Sequence, residues 1–525
     1  MATKIVREPS KIQIVRILTT FFCLSLLLIA CNPEKPSDQE QAKEALPNIV
    51  YILADDLGYG DVSANNPASE IQTTHIDALA KAGMRFTDAH SPSSVCTPTR
   101  YGILTGRYCW RSKLPRGVLR GYGRALIEKD RTTVASFLKR KGYQTGVVGK
   151  WHLGLDWVIK EGVEDFLNAE GTDKSEFGIV TEMNPDLIDF SRKPTDGPLQ
   201  HGFDYSYILP ASLDMDPYCF LENDSLVAIP SDYTAGNDLN TGYTEAFWRA
   251  GRIAPGFEMA QVLPTFKDKA VSFIQRQSQD TPFFLYLPLA APHTPWVPTA
   301  DYKDSAGAGN YGDFVKMVDD QVGAVMQALA DQGFEENTLV IFTSDNGPFW
   351  TPALIEEYEH RSAGQLKGMK ADAWDGGHRI PYIAKWPTKI AAGSTSDATT
   401  TLTHLIATVA AITGTNLAAN EGPDSHNLLP VYLGKTDTVP GQEAIVHHSS
   451  RNSFAIRKGD WKLIEKRGSG GFSKPNIIDP APGEPSGQLY NMKEDIGETK
   501  NLFQEQTEIV EELQALLNDI RDQDK

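Results

Sequence analysis

Asn48-Ile-Val-Tyr-Ile-Leu-Ala54 is an apolar run with no polar alternation, and it stops at the pair Asp55-Asp56. A strand of that length with both faces apolar is covered on both sides, as in a parallel sheet between layers of helices. Runs of the same kind occupy residues 144–148, 283–289 and 338–343, with helical spacing at residues 79–83, 133–141 and 314–332. Strands alternating with helices predict an α/β fold on a doubly wound, mostly parallel sheet over residues 47–440. From residue 441 the texture changes to short alternating runs at 453–457, 461–465 and 488–492. After these, Ile509, Val510, Leu513, Leu516, Leu517 and Ile520 share one helical face. Residues 441–525 are therefore expected to form a smaller α+β unit, an antiparallel sheet with a closing helix. The stretch 156–264 is rich in acid, Pro, Asn and aromatic residues with weak periodicity, and reads as an insertion shaping the mouth of a site.

The chain has 525 residues, 41% hydrophobic and 22% charged, which suits a folded body rather than a disordered or polytopic one. Lys+Arg total 50 against 68 Asp+Glu, and the first thirty residues carry four of those bases (Lys4, Arg7, Lys11, Arg16) with Glu8 as the one acid. The remaining body is thus more acidic than the net charge of −18 states, and offers no basic face for nucleic acid. Residues 1–31 have a basic start, then an apolar stretch from 17 to 30 that is short for a bilayer span, then Leu28-Ile-Ala-Cys31, a pattern like a bacterial lipobox. This predicts a removed signal peptide, a lipid on Cys31, and export to the cell envelope with the polar residues 32–46 as tether. Three cysteines remain in the body, Cys96, Cys109 and Cys219. In an exported protein at least one must stay unpaired and needs a reason; whether Cys109 pairs with Cys219 is open.

Two of the buried runs end in oxygen ligands: Asp55-Asp56 after the first and Asp345-Asn346 after the last. The carboxyl ends of strands in an open α/β sheet form the ligand crevice, so the four side chains are placed to converge. Three carboxylates and one amide suit a hard divalent cation, Ca2+ ahead of Mg2+, and there is no Cys or His cluster of the zinc type. Either pair alone is an ordinary turn sequence. The segment Ser94-Val-Cys-Thr-Pro-Thr-Arg-Tyr-Gly-Ile-Leu-Thr-Gly-Arg107 adds to them. Pro98 fits the first turn of a helix that starts at Cys96, where exposed N–H groups favour an anion, and Arg100 lies one turn on. Taken alone, this segment also suits a low-pKa cysteine with a redox role.

Cys96-Thr-Pro98-Thr-Arg100 followed by Leu104-Thr-Gly-Arg107 resembles the signature of the type I sulfatases, with Thr99 where Ser or Ala is commoner. The resemblance runs from Pro47 to about Leu502. In order it takes in Asp55-Asp56-Leu-Gly-Tyr-Gly-Asp61, Gly149-Lys-Trp-His-Leu-Gly154, Pro292-His293-Thr-Pro295, Ser344-Asp-Asn-Gly347 and Gly376-Gly-His-Arg-Ile-Pro381. It implies an alkaline-phosphatase-like fold and hydrolysis of sulfate esters. It also implies that a maturation enzyme converts Cys96 to formylglycine, and that this residue binds Ca2+ with Asp55, Asp56, Asp345 and Asn346. Arg100, Lys150 and His152 would then hold and activate the aldehyde hydrate, and His293 and Lys370 would grip the sulfate and the bridging oxygen. Lys370 is preferred to Lys367 for its spacing to Gly376-Gly377. The local cations also answer the acidic body, whose repulsion of an anionic sugar is screened within about 8 Å at physiological salt. The likeness to bacterial carbohydrate sulfatases implies a sulfated glycan as partner, sulfated galactose or N-acetylgalactosamine by preference, with sulfate removed one group at a time at a chain end. Asp372, His378, Arg379, Trp296, Trp350 and Trp374 are the candidate sugar contacts. Two other readings stand beside this one: a phosphonate or phosphodiester hydrolase of the same fold, and an anchored glycan-binding protein with Cys96 left as a thiol.

Overall fold

The computed structural model describes residues 1, 45–162, 173–175, 178–180, 182–237 and 246–523. The signal peptide, Cys31 and most of the tether lie outside the described residues. Among the described residues no helix is long and apolar enough to cross a membrane. Leu46–Lys525 form one compact unit.

In chain order the main sheet comprises β1 (Asn48–Asp55), β2 (Met84–Phe86), β3 (Gln144–Lys150), β4 (Tyr205–Leu209), β5 (Leu221–Glu222), β6 (Ser225–Leu226), β7 (Phe283–Pro292), β8 (Thr338–Ser344), β9 (Tyr382–Lys385) and β10 (Ser394–Ser396). Side by side they run β10-β2-β9-β8-β1-β7-β3-β4-β5-β6. The central five, β8, β1, β7, β3 and β4, are mutually parallel. The sheet is covered on both faces, which is why β1 reads as an unbroken apolar run. Ile49, Tyr51 and Leu53 pack on one side with Phe284, Tyr286 and Ile341, while Val50, Ile52 and Ala54 pack on the other with Leu285, Leu287 and Phe342. The four strands expected from sequence are all present. β4 is an addition: it lies inside the stretch read as an insertion, and Tyr-Ser-Tyr-Ile-Leu, interrupted by Ser206, is no unbroken apolar run.

This topology brings the strand ends to one edge. Asp55 and Asp56 end β1, Lys150 and His152 end β3, Ser212 and Asp214 follow β4, His293 follows β7, and Asp345 and Asn346 follow β8. β9 is antiparallel to β8 with Tyr382 opposite Thr343, so the chain leading into β9, which carries Lys370, arrives at that same edge.

A second sheet of β11 (Ile445–His448), β12 (Phe454–Lys458), β13 (Trp461–Ile464) and β14 (Gln488–Asn491) is antiparallel throughout. The closing helix, Thr507–Asp522, sets Leu513 and Leu517 against Ile456, Leu463 and Leu489. β11, which the alternation does not single out, fastens this sheet to the cysteine segment: the Ser94 N–H donates to the His448 carbonyl at 3.1 Å.

Candidate active site

Helix α1 (Cys96–Thr105) begins after Val95, whose extended φ of −143° and ψ of 156° turn the chain into the helix. Pro98 stands in the first turn, where its missing N–H has no helical partner to lose. Gly106 closes the helix at φ 61°, and a Cβ there would stand 2.4 Å from Ile406 Cγ2, so that position needs glycine. All ten helical residues are buried, which fixes Cys96 at the floor of a cleft. Its Sγ lies 3.6 Å from Asp55 Oδ1 and 3.7 Å from Lys370 Nζ. Burial pushes the thiol far up despite Lys150 and Lys370, so the low-pKa redox cysteine considered from sequence does not match this environment. Cys109 and Cys219 are buried and unpaired.

Acids and bases interlock around it. Arg100, fully buried, donates from Nε and Nη2 to Asp345 Oδ2 at 3.0 and 2.7 Å, and from Nη1 to the Lys150 carbonyl at 2.9 Å. Lys150 Nζ meets Asp55 Oδ2 at 2.7 Å and Ser212 Oγ at 3.1 Å; Lys370 Nζ meets Asp56 Oδ2 at 2.7 Å. Burial alone would raise Asp55, but Lys150, His293 and Arg100 hold it well below the usual carboxylate range. Burial likewise works against the Lys370 charge, and Asp56 more than restores it, pushing the ammonium up. Asp56 (φ 65°), His152 (φ 55°) and Ala371 (φ 74°), next to Lys370, adopt left-handed backbone that L-residues seldom take. Strain of this kind gathers where side-chain placement matters most.

The metal ligands expected from sequence come together. Asp55, Asp56, Cys96 and His293 present ligand atoms that all lie within 4.8 Å of one another. Asp345 Oδ1 accepts the Asp56 N–H at 3.2 Å, and Asn346 Nδ2 donates to Asp56 Oδ1 at 2.6 Å. Asn346 Oδ1 is buried with no hydrogen-bond partner. A lone amide oxygen beside three carboxylates fits a hard divalent cation.

The two histidines have fixed tautomers. His152 Nε2 lies 2.7 Å from the Leu119 carbonyl, so Nε2 carries the proton, and Nδ1 is left buried and without a partner. Burial, then Lys150 and Arg100, hold its imidazole well below its ordinary value, hence neutral. His293 Nδ1 donates to the Thr294 carbonyl at 2.6 Å, which leaves Nε2 facing Asp56 Oδ2 at 3.7 Å. Its value too is lowered, by burial and then Lys370, with Asp56 and Asp55 pulling the other way.

The cleft over Cys96 encloses about 960 Å³ of space open to solvent. Its lining includes Asp56, His152, His293, Lys370 and Trp296, together with Arg120, Asp214, Arg249, Phe349, Ser450 and Phe472. Asp214 and Arg249 come from the stretch 156–264, which does shape the mouth. None of this second set carries a motif or spacing that singles it out in the sequence.

Asp372, His378 and Arg379, expected at the sugar, are not in this lining. The Asp372 carboxylate accepts the Met369 and Ser473 N–H groups at 3.0 and 3.1 Å. His378 is buried between the two sheets: Lys462 Nζ donates to its Nε2 at 3.1 Å, which places its proton on Nδ1, 3.0 Å from His90 Nδ1, and His90 Nε2 meets Asp88 at 2.9 Å. Arg379 pairs with Asp88 and Asp375, each at 3.3 Å. These groups are consumed by the junction between the two sheets. Trp350 lies tilted against Trp296 with ring centroids 5.9 Å apart, and Trp374 lies under Lys367 Nζ at 4.1 Å.

The fold and this site define a hydrolase with a charged pocket for an anionic ester. The Sulfatase family matches residues 47–415. N-acetylgalactosamine-6-O-sulfatase of Bacteroides thetaiotaomicron is 32% identical, over 94% of this chain and 97% of its own length. Human arylsulfatase A is 33% identical over 87% of this chain and 83% of its own. A solved Bacteroides thetaiotaomicron sulfatase, titled for glycosaminoglycan metabolism, superposes with a TM-score of 0.76 at 30% identity, covering 91% of this chain and all of that one. The chain belongs to the sulfatase family and is a sulfuric ester hydrolase.

Proposed function

We propose that the protein removes sulfate from a sulfated sugar at a chain end, with galactose or N-acetylgalactosamine carrying sulfate at C6 as the substrate. The observation that carries this reading is Cys96, buried at the floor of the cleft between Asp55 and Lys370 in the motif the family matures. The relative that acts on N-acetylgalactosamine 6-sulfate, aligned along nearly the full length, supports the choice of sugar. Asp55, Asp56, Asp345 and Asn346 would hold a Ca2+ ion. That ion and the formylglycine made from Cys96 supply a local positive charge and a hydrated aldehyde nucleophile.

The chain's own residues account for the rest. A sulfate ester spreads negative charge over several oxygens, and a nucleophile reaches sulfur only where that charge is neutralised. Lys370, kept protonated by Asp56, binds a sulfate oxygen. Arg100 and Lys150 hold Asp345 and Asp55 in place and offset their charge. His152, neutral with its lone pair on Nδ1, takes a proton from the residue at position 96. His293 donates from Nε2 to the leaving sugar oxygen; the arriving anion favours its protonated form.

We further propose export and anchoring through a lipid on Cys31. The decisive experiment is sulfate release, read by ion chromatography, from a panel of defined sulfated saccharides and a phosphodiester analogue, using protein made with a formylglycine-generating enzyme. Release from galactose or N-acetylgalactosamine 6-sulfate is the expected result. Faster turnover of the phosphodiester than of every sulfate ester would overturn it.

A further inference from the structure

Asp214 follows β4 on the loop that also supplies Ser212, and it is fully buried in the wall of the cleft. Its two oxygens differ. Oδ2 is bound by Arg249 Nη1. Oδ1 is buried with no hydrogen-bond partner. His293 Nδ1 is 4.0 Å away and already gives its proton to the Thr294 carbonyl. An ionised oxygen in a buried wall with no donor is costly, and such an atom at a binding site calls for a donor from the ligand. A carboxylate accepts only, so that donor is an O–H or N–H. Phe349 and Phe472, edge to face at 5.6 Å, line the same cleft and offer apolar surface to the face of a ring.

We infer that Asp214 Oδ1 is the acceptor for the free ring hydroxyl of the sugar that lies nearest the sulfate ester, and so selects which sugar is desulfated. This rests on the sulfated-sugar reading above. Asp214 lies beside His293, which faces the leaving oxygen, so the hydroxyl concerned is close to the ester. With sulfate on C6 that is the hydroxyl on C4. Arg249 holds the carboxylate in position from behind. The arrangement also selects against a second sulfate at that hydroxyl, because it would set an anion against the ionised Oδ1.

The test is a cycle of enzyme and substrate changes. Wild type and Asp214→Asn are assayed on N-acetylgalactosamine 6-sulfate, on its 4-deoxy and 3-deoxy analogues, and on 4-nitrophenyl sulfate, which has no sugar hydroxyl. Asp214→Asn is expected to lower kcat/KM on the natural sugar by about ten- to a hundredfold, as for a hydrogen bond to a charged group. The loss on the aryl sulfate should be at least tenfold smaller. The 4-deoxy analogue should be poor for wild type and no poorer for the variant, whereas two losses that simply multiply on both deoxy sugars would overturn the assignment. Equal losses on sugar and aryl sulfate would also overturn it, and make Asp214 a positioning residue for His293. Wild type inactive on all the sulfates would instead defeat the sulfatase reading itself, and near-UV circular dichroism of Asp214→Asn checks that the variant is folded.

Discussion

Lys370 Nζ stands 3.7 Å from Cys96 Sγ while it is bound to Asp56 Oδ2 at 2.7 Å. One ammonium therefore joins Cys96 to the carboxylates beside it. The two positions are 274 residues apart. They meet because the chain entering β9 returns to the edge where β1 ends. A positive charge fixed there favours an anion in contact with position 96, and Lys370→Ala is expected to lower sulfate-ester turnover by about a hundred- to a thousandfold, as loss of one charge-stabilising donor does. Steady-state kinetics on 4-nitrophenyl sulfate checks this.

Cys96 is expected to carry an aldehyde in active protein, since a buried thiol pushed this far up is a poor nucleophile. Peptide mass spectrometry of protein co-produced with a maturation enzyme reads it directly. Cys96→Ala should fold and show no turnover. Full activity from protein bearing only the thiol contradicts the mechanism.

Chelation is expected to abolish activity, and Ca2+ to restore it, with elemental analysis finding about one hard divalent ion per chain. Asp345→Ala leaves Arg100 buried without its main partner. It should lose both metal and stability, the latter by about 3–5 kcal/mol, as when a buried ion pair is broken. Asn346→Ala removes the lone amide oxygen without that charge imbalance, so metal affinity should fall with little change in Tm. Stoichiometric zinc would count against the assignment.

His293→Ala should slow a sugar sulfate far more than an aryl sulfate. A sugar alkoxide needs a proton in the transition state, whereas a nitrophenolate leaves largely without one, and general-acid help is worth about a hundred- to ten-thousandfold. Equal losses would assign His293 to sulfate binding. The same pair of substrates with Lys370→Ala shows whether the lysine shares the proton.

His447 lies tilted against His378 with ring centroids 3.5 Å apart, and neither of its ring nitrogens has a hydrogen-bond partner. Burial, then His378 and Lys462, hold it well below its ordinary value. The unfolded chain takes a proton there near pH 6.5 and the folded chain does not. Its share of stability is thus full above about pH 6.5 and falls as the pH drops below that. His447→Phe removes this dependence. Relative to wild type it should gain about 2 kcal/mol between pH 7.5 and pH 5, from about 1.4 kcal/mol per pH unit below 6.5. Chemical denaturation at the two pH values measures it, and a wild-type-to-variant difference that ignores pH refutes it.

Cys31 is expected to be the lipidated first residue of the mature protein. Metabolic labelling with a fatty-acid analogue in the native host should mark the wild type and not Cys31→Ser. Label that persists in the variant refutes the anchor.

The catalytic floor was legible in the sequence because its parts sit at the ends of local patterns. An apolar run without alternation marks a strand buried on both faces, and a parallel sheet gathers strand ends at one edge. The convergence of Asp55 and Asp345 therefore follows from periodicity and topology, while Lys150 and His293 were marked by the family resemblance. The wall of the cleft was not legible. Asp214, Arg249 and Phe472 follow no period, and each reaches the cleft on a loop whose path is set by packing against distant chain. Asp372, His378 and Arg379 show the converse: they stand beside Lys370 in sequence, yet the C-terminal part of the chain, through Lys462, the Ser469 carbonyl and the Ser473 N–H, draws that neighbourhood inward and uses its charges to join the two sheets. Which polar side chains face substrate and which face a buried partner depends on surfaces hundreds of residues apart, and no local pattern encodes that.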